Sequence, residues 1–153
     1  MRDPHEPNLR PARPSDLEAL VALLGDLFSL EADFTPDPER QRRGLMLLLD
    51  GSEDRRVFVA DAGGRAVGMA TVQVLVSTAE GGPVGLVEDV VVAPEHRGRG
   101  LGRRLLAALE AWALERGLTR LQLLADRDNA PAFAFYEKAG WEGTRLVCWR
   151  KRG

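Results

Sequence analysis

An apolar strand running directly into a glycine- and arginine-rich turn, and from there into a long helix, constrains this chain more than any other feature. The segment reads Val90-Val91-Val92-Ala93-Pro94-Glu95-His96-Arg97-Gly98-Arg99-Gly100-Leu101-Gly102-Arg103-Arg104. Glycines let successive main-chain N–H groups turn toward one point with no side chain in the way. A helix start adds N–H groups that have no intrahelical acceptor, together with the positive end of the helix dipole. The combination suits a phosphate or pyrophosphate, and Arg97, Arg99, Arg103 and Arg104 bring positive charge to the same place. A P-loop needs a Gly-Lys-Ser/Thr ending, which is absent. The dinucleotide fingerprint needs a third Gly or Ala three residues after the second. Counted from Gly98 and Gly100 that place holds Arg103; counted from Gly100 and Gly102 it holds Leu105. The pattern present is Arg97-x-x-Gly100-x-Gly102.

The rest of the chain alternates between helical and strand periods. Residues 1–7 read as a polar arm, and Leu9 to Arg13 as a short strand. Ser15 stands as an N-cap with Glu18 at the capping-box position. Leu17, Leu20, Val21, Leu24, Leu27 and Phe28 then recur at helical spacing. Glu31 to Pro38 is a break rich in carboxylates, followed by a second helix that ends at Leu45 to Leu49. Arg56 to Asp61 and Arg65 to Ser77 form a hairpin around Ala62-Gly63-Gly64. Ala79 to Pro83 is a second turn, and Val84 to Ala93 is a strand interrupted by Glu88-Asp89. Gly100 to Arg116 predicts a helix with Leu101, Leu105, Leu109 and Trp112 on one stripe, closed by Gly117. Leu118 to Ala125 predicts a strand. Asn129 to Ala139 predicts a short helix with Pro131 in its first turn, and Arg145 to Arg150 a last strand. The order is mixed α/β: antiparallel hairpins first, then a strand-helix-strand unit expected to cross over right-handedly into a parallel pair. No repeat or linker interrupts the chain, so residues 1–153 are expected to form one domain.

Composition narrows the class. With 44% hydrophobic and 29% charged residues over 153 positions, a folded domain is expected. A formal net charge of -2 supplies no overall drive toward nucleic acid or an anionic membrane. No stretch approaches the roughly 18 apolar residues of a membrane span, and the N-terminus lacks a signal-peptide run. Cys148 is the single cysteine, so no internal disulfide forms. These observations predict a cytoplasmic protein. Cys148, in the expected terminal strand, reads as a small buried apolar residue, and His5 and His96 as surface residues. No Cys/His cluster suggests a metal.

Arg97-x-x-Gly100-x-Gly102 resembles the pyrophosphate signature of the GNAT superfamily of N-acetyltransferases. A second match lies downstream, where Asn129-Ala130-Pro131-Ala132-Phe133-Ala134-Phe135-Tyr136-Glu137-Lys138-Ala139-Gly140-Trp141 is similar to that family's Asn-x(6)-Tyr-x-x-x-Gly-Phe segment, with Trp141 in place of Phe. The motifs stand in the family's order and spacing, and the resemblance covers Val84 to Arg150. It implies a mixed six- to seven-stranded sheet flanked by about four helices, with acetyl-CoA as the cosubstrate and no metal. Two parallel strands would splay, and the pantetheine arm would lie along Val90, Val91 and Val92 like an added strand. Gly98, Arg99, Gly100, Leu101, Gly102 and Arg103, with Arg97, would hold the pyrophosphate, and Asn129 would bind the cofactor from the other side.

The implied reaction is direct attack of an amine on the thioester. An alkylammonium with a pKa of about 10 must first lose a proton, and the departing thiolate must be stabilised. Tyr136, the one tyrosine in the chain, occupies the family's general-acid position, and main-chain N–H groups at Val91 or Val92 would stabilise the carbonyl oxygen. Glu88 and Asp89 are candidates for the base. Strand alternation turns them to opposite faces, so one of the two is expected to face the cleft. Leu124, where some relatives carry an acidic base, is apolar. Glu31, Asp33, Asp37 and Glu39 border the region where the family binds its acceptor; they read either as a solvated loop or as an attraction for a cationic amine. Two other readings compete with the enzyme: an acyl-CoA-binding module without catalysis, which would have no need of Tyr136, and a nucleotide- or NAD-binding protein, disfavoured by the failed fingerprints. A single strand after Trp141 resembles family members that complete their sheet through a partner, which implies a homodimer, with the Arg145 to Arg150 strand open to exchange.

Overall fold

In the computed structural model, which describes residues 5–30 and 35–153, the chain divides into two compact units, Met1–Gln122 and Leu123–Gly153. The first contains β1 (Asn8–Pro11), α1 (Leu17–Leu30), α2 (Pro38–Leu48), β2 (Arg55–Ala62), β3 (Arg65–Ser77), β4 (Gly82–Val92) and α3 (Leu101–Glu115). β5 (Leu121–Leu123) straddles the boundary, and α4 (Ala130–Lys138) lies in the second unit. The sheet has five strands in the order β1-β2-β3-β4-β5. β1 to β4 pair antiparallel in sequence, as the hairpin around Gly63-Gly64 requires. β5 runs parallel to β4: Thr119 N–H bonds to Pro83 C=O and Gly85 N–H to Arg120 C=O, so the partners advance together. Gly85 makes this approach possible, since a Cβ there would stand 2.5 Å from a Leu121 methyl group.

Both faces of the sheet are covered. Ala66 to Val72 of β3 are buried without interruption, whereas a strand with one wet face alternates. α3 covers the face that carries Gly68, where Leu105 packs closely. α1 and α2 cover the other. The core is built from Leu20 and Leu24 of α1, Leu45 of α2, Val59, Met69, Val72 and Val87 of the sheet, and Leu105, Leu106 and Leu109 of α3. Each such side chain contributes about 1.5–3 kcal/mol on burial. Trp112 lies at the margin of the α3 stripe, half-buried, with the guanidinium groups of Arg56 and Arg116 over its ring at 5.8 and 5.1 Å.

Long-range charges override the expected cap of α1. Pro14–Asp16 form a 3₁₀ turn, and the Asp16 carboxylate, not the Ser15 hydroxyl, accepts the Arg13 N–H at 2.7 Å. Asp16 also receives both terminal nitrogens of Arg10 at 2.8 Å, while Arg10 Nε donates to Asp61 at 2.9 Å. The Arg10 hydrogen bond is the main cause that holds both Asp16 and Asp61 below the usual carboxylate range. Glu18 is likewise drawn away from the cap. It pairs with Arg42 of α2, whose hydrogen bond lowers its pKa.

The chain end differs from its sequence pattern. The strand expected over Leu118 to Ala125 is confined to Leu121–Leu123. Arg145 to Arg150 form no strand, so the sheet has five strands where six or seven were expected. Leu146, Val147 and Trp149 are consequently exposed, Trp149 by 91%. Cys148, expected to be buried, is an exposed free thiol for the same reason. His5 lies at the surface, whereas His96 is half-buried.

Candidate active site

The glycine turn has the main-chain geometry its sequence predicts. Gly98 and Gly100 both adopt left-handed conformations, with φ of 76° and 78°. Nothing crowds a Cβ at either position, so backbone conformation, not space, demands glycine. Gly100 is the N-cap of α3 without a side-chain cap, and the first intrahelical bond of that helix runs from Arg104 N–H to Gly100 C=O. The N–H groups of Leu101, Gly102 and Arg103 therefore precede any i−4 acceptor. Those of Gly98, Arg99 and Gly100 have no main-chain partner among the described residues. Consecutive donors of this kind at a helix start are the arrangement that suits an anion.

The arginines divide their work. Arg97 Nε donates to Val92 C=O at 2.9 Å, tying the turn to the end of β4. Arg99 and Arg103 are exposed at the turn. Arg104, grouped with them in the sequence pattern, instead pairs with Glu6 at 3.0 Å.

β4 offers an open edge beside this turn. Ala93 N–H bonds to Val67 C=O on the β3 side. Alternation then turns the main-chain groups of Val92 to the opposite edge, where its carbonyl receives Arg97. β5 is registered against the first half of β4, beginning beside Gly85, while β4 continues through Val90, Val91 and Val92.

Glu88 and Asp89 depart from the expected alternation. Thr71 pairs with Glu88 and Met69 with Val91, so β4 carries one residue more than β3 between them. This is a β-bulge. Asp89 takes up the extra length at φ 54°, the one positive φ at a non-glycine among the described residues, and aspartate tolerates that conformation better than most residues. The buried Thr71 hydroxyl donates to Glu88 C=O at 2.9 Å and pins the bulge. Glu88 and Asp89 both border one cavity of about 440 Å³. The bulge breaks the two-residue period on which the expected opposite facing of Glu88 and Asp89 rests.

The other walls of the cavity come from elements that carry no motif. α1 supplies Leu24 and Phe28, α2 supplies Gln41, Gly44, Leu45 and Leu48, and β2 and β3 supply Arg55 and Gln73. Arg55 is occupied by Asp50 at 2.8 Å and Leu47 C=O at 3.2 Å. Gln41 is 8% exposed on an otherwise apolar helix stripe, and among the described residues neither amide atom has a hydrogen-bond partner. Its signal was a lone polar residue at helical spacing from Leu45 and Leu48. Glu31 and Asp33 of the acidic break lie outside the described residues. Asp37 caps α2 and pairs with Arg40, and Glu39 pairs with Arg42.

In the second unit, Asn129 is the N-cap of α4, its side-chain oxygen accepting Ala132 N–H at 3.1 Å. Tyr136 lies two turns later, with ring centroids 5.1 Å from Phe135 and 6.0 Å from Trp141. Trp141 N–H bonds to Tyr136 C=O at 2.9 Å across the helix end. The motif spacing thus builds one capped helix closed by a packed aromatic group. Leu124 is exposed. Among the described residues no cluster of His, Cys, Asp and Glu has the makings of a metal site, and no helix is long and apolar enough to cross a membrane.

Comparison with known proteins places this geometry. The family model described as the acetyltransferase (GNAT) family matches residues 18–141. An aminoglycoside N(6')-acetyltransferase type 1 of Stenotrophomonas maltophilia is 31% identical, with 92% of this chain and 90% of the relative covered. A glucosamine 6-phosphate N-acetyltransferase of Trypanosoma brucei brucei is 33% identical over 92% of each. Among solved structures, the aminoglycoside N-acetyltransferase AAC(6')-Iy in complex with CoA shares the fold at a TM-score of 0.82 and 22% identity, covering 100% of this chain and 99% of that one. A donor-lined glycine turn, an open strand edge and a sequence match across most of the chain converge: the protein belongs to the GNAT family and is an acetyltransferase.

Proposed function

We propose that the chain, residues 1–153 acting as one catalytic domain, transfers the acetyl group of acetyl-CoA to a primary amine by direct attack. The acceptor would be a small-molecule amine, as in the named relatives, rather than a protein. The observation that carries this reading is the row of unbonded N–H groups from Gly98 to Arg103 beside the free edge of β4. They receive the pyrophosphate, with Arg97, Arg99 and Arg103 adding charge, while Val90 to Val92 receive the pantetheine arm. Asn129 contributes from the start of α4. The acceptor enters the cavity faced by Glu88 and Asp89, whose two carboxylates favour a cation and take up its proton, directly or through water. Val92 N–H, on the edge of β4 away from β3, steadies the carbonyl oxygen. Tyr136 then donates its phenolic proton to the departing thiolate. In this reading the protein works in the cytoplasm as a homodimer, and the exposed Leu146, Val147 and Trp149 are surfaces such a dimer would cover.

Thermal unfolding with acetyl-CoA, coenzyme A, NAD and ATP tests the cofactor. At a concentration of about 100 times Kd a selective ligand adds roughly 2.7 kcal/mol, a rise of about 5–10 °C for a domain of this size. A rise confined to the two coenzyme A species is expected. An equal rise with NAD would sink the reading. Light scattering at micromolar concentration addresses the dimer, and a monomer there would refute it.

A further inference from the structure

We propose that Thr71 is a positioning residue for acetyl transfer: its buried hydroxyl holds β4 in the register that turns the main-chain groups of Val90 and Val92 to the cofactor edge. This rests on the acetyl-transfer reading above and adds a residue from outside both binding regions. Thr71 is 1% exposed, in the middle of β3, and lines neither the glycine turn nor the cavity that Glu88 and Asp89 border.

Two hydrogen bonds show that β4 changes phase along its length. Gly85 N–H points away from β3, to Arg120 C=O beside β5. Ala93 N–H points toward β3, to Val67 C=O. These residues are an even number apart, and an uninterrupted strand would turn both to the same edge. The extra residue of β4 between Glu88 and Val91 is the interruption. Before it the odd-numbered residues face the outer edge. After it the even-numbered ones do, and Val92 C=O there receives Arg97 Nε. Val91, paired with Met69, faces β3.

This sequence has a competing arrangement. Were the ladder to run on from the Thr71–Glu88 pair without a bulge, Asp89 would stand opposite Ala70 and Val90 opposite Met69, a slip of one residue. Val92 would then turn its N–H and C=O into the ladder, and Asp89, Val91 and Ala93 would occupy the outer edge. The bulged register bears two costs that the slipped one lacks. It leaves a residue unpaired, and it holds Asp89 left-handed at φ 54°. The Thr71 hydroxyl acts where the two registers part: it donates at 2.9 Å to the carbonyl of Glu88, the last residue before the bulge. A buried hydroxyl requires such an acceptor, so the bond and the bulge support each other.

Thr71→Val keeps the side-chain shape and removes the donor. Calorimetric titration compares acetyl-CoA with 3'-phospho-ADP, the half of coenzyme A that carries the pyrophosphate but no pantetheine. Amide hydrogen exchange, read by NMR, compares Val91 with Val92. In the wild-type protein Val92 N–H, on the open edge, is expected to exchange faster than Val91 N–H, and acetyl-CoA should slow it. In Thr71→Val the affinity for acetyl-CoA should fall about tenfold, the scale of one lost buried hydrogen bond, with that for 3'-phospho-ADP unchanged. The exchange contrast between Val91 and Val92 should shrink with it. Thr71→Ser, which retains the hydroxyl, should restore both, and Thr71→Ala replaces the valine variant should that fold poorly. Equal weakening of both ligands would reduce Thr71 to a stability residue and overturn the proposal. An unchanged acetyl-CoA affinity, or equal exchange at Val91 and Val92 in the wild-type protein, would overturn it too and leave acetyl transfer standing. A wild-type protein that binds neither ligand would bring down the acetyl-transfer reading and this inference with it.

Discussion

The glycine turn and the cavity under α1 and α2 are built on opposite principles. At the turn the binding groups belong to the main chain, from Gly98 through Arg103, and side chains matter chiefly by being absent. The cavity is lined from separate elements, its polar residues Gln41, Arg55, Gln73, Glu88 and Asp89 coming from α2, β2, β3 and β4. A main-chain receptor is fixed by conformation, and the guest proposed for this one is a single chemical group, the pyrophosphate. A side-chain receptor changes with every substitution. The contrast suits an enzyme family in which the donor is constant and the acceptor varies.

The largest effect should come from breaking the main-chain receptor. Gly100→Val forces a β-branched residue into a left-handed conformation. Acetyl-CoA affinity is expected to fall by about two to three orders of magnitude, comparable to losing a preorganised N–H donor set, while the cavity and its carboxylates stay in place; calorimetric titration checks this. Next, Tyr136→Phe should lower kcat about 100-fold at unchanged KM, whereas Glu88→Gln and Asp89→Asn should each lower kcat by up to about 100-fold. Asparagine keeps the left-handed backbone at Asp89, so any loss there reports the charge and not the bulge.

Outside both regions, the Arg10–Asp16–Asp61 network should set the acid stability. Both aspartates have folded pKa values below their unfolded ones. Their contribution is therefore complete above the ordinary aspartate range and is lost as pH falls through it. Asp16→Asn should cost about 2 kcal/mol at neutral pH and flatten the acid limb of a melting-temperature profile. Smaller still, Arg99→Ala and Arg103→Ala should each weaken acetyl-CoA binding by roughly fivefold to tenfold and reduce its salt dependence, because they add charge to a receptor the backbone already forms. Finally, Gly44→Ala should stabilise the protein by about 0.5–1 kcal/mol through helix propensity, without touching acetyl-CoA binding. A loss of acetyl-CoA affinity in that variant would show that the two regions are not separable.

Legibility in the sequence follows the same division. Arg97-x-x-Gly100-x-Gly102 was readable because a main-chain receptor leaves its mark in consecutive residues, and Asn129 was readable because a cap and its helix are neighbours. That Glu88 and Asp89 border one cavity was not legible, since the bulge depends on how β4 registers against β3 and on the Thr71 hydroxyl seventeen residues away. The α1 cap was misread because Arg10 and Arg42, distant or on another element, claimed the carboxylates of Asp16 and Glu18. The Arg145 to Arg150 strand was overread: its alternation is real, but the segment forms no strand, and alternation alone does not make one.

By itself the sequence determined the helices, the hairpins, the left-handed glycines and the family, all consequences of short-range period, conformational freedom and local capping. Only the tertiary structure decided which side chains meet: that Gln41 of α2 and the carboxylates of β4 border one cavity, and that Arg104 turns from the glycine loop to Glu6. The physical reason is range. Backbone conformation is settled within a few residues, whereas a cavity is the space left between elements whose packing is settled by the whole core.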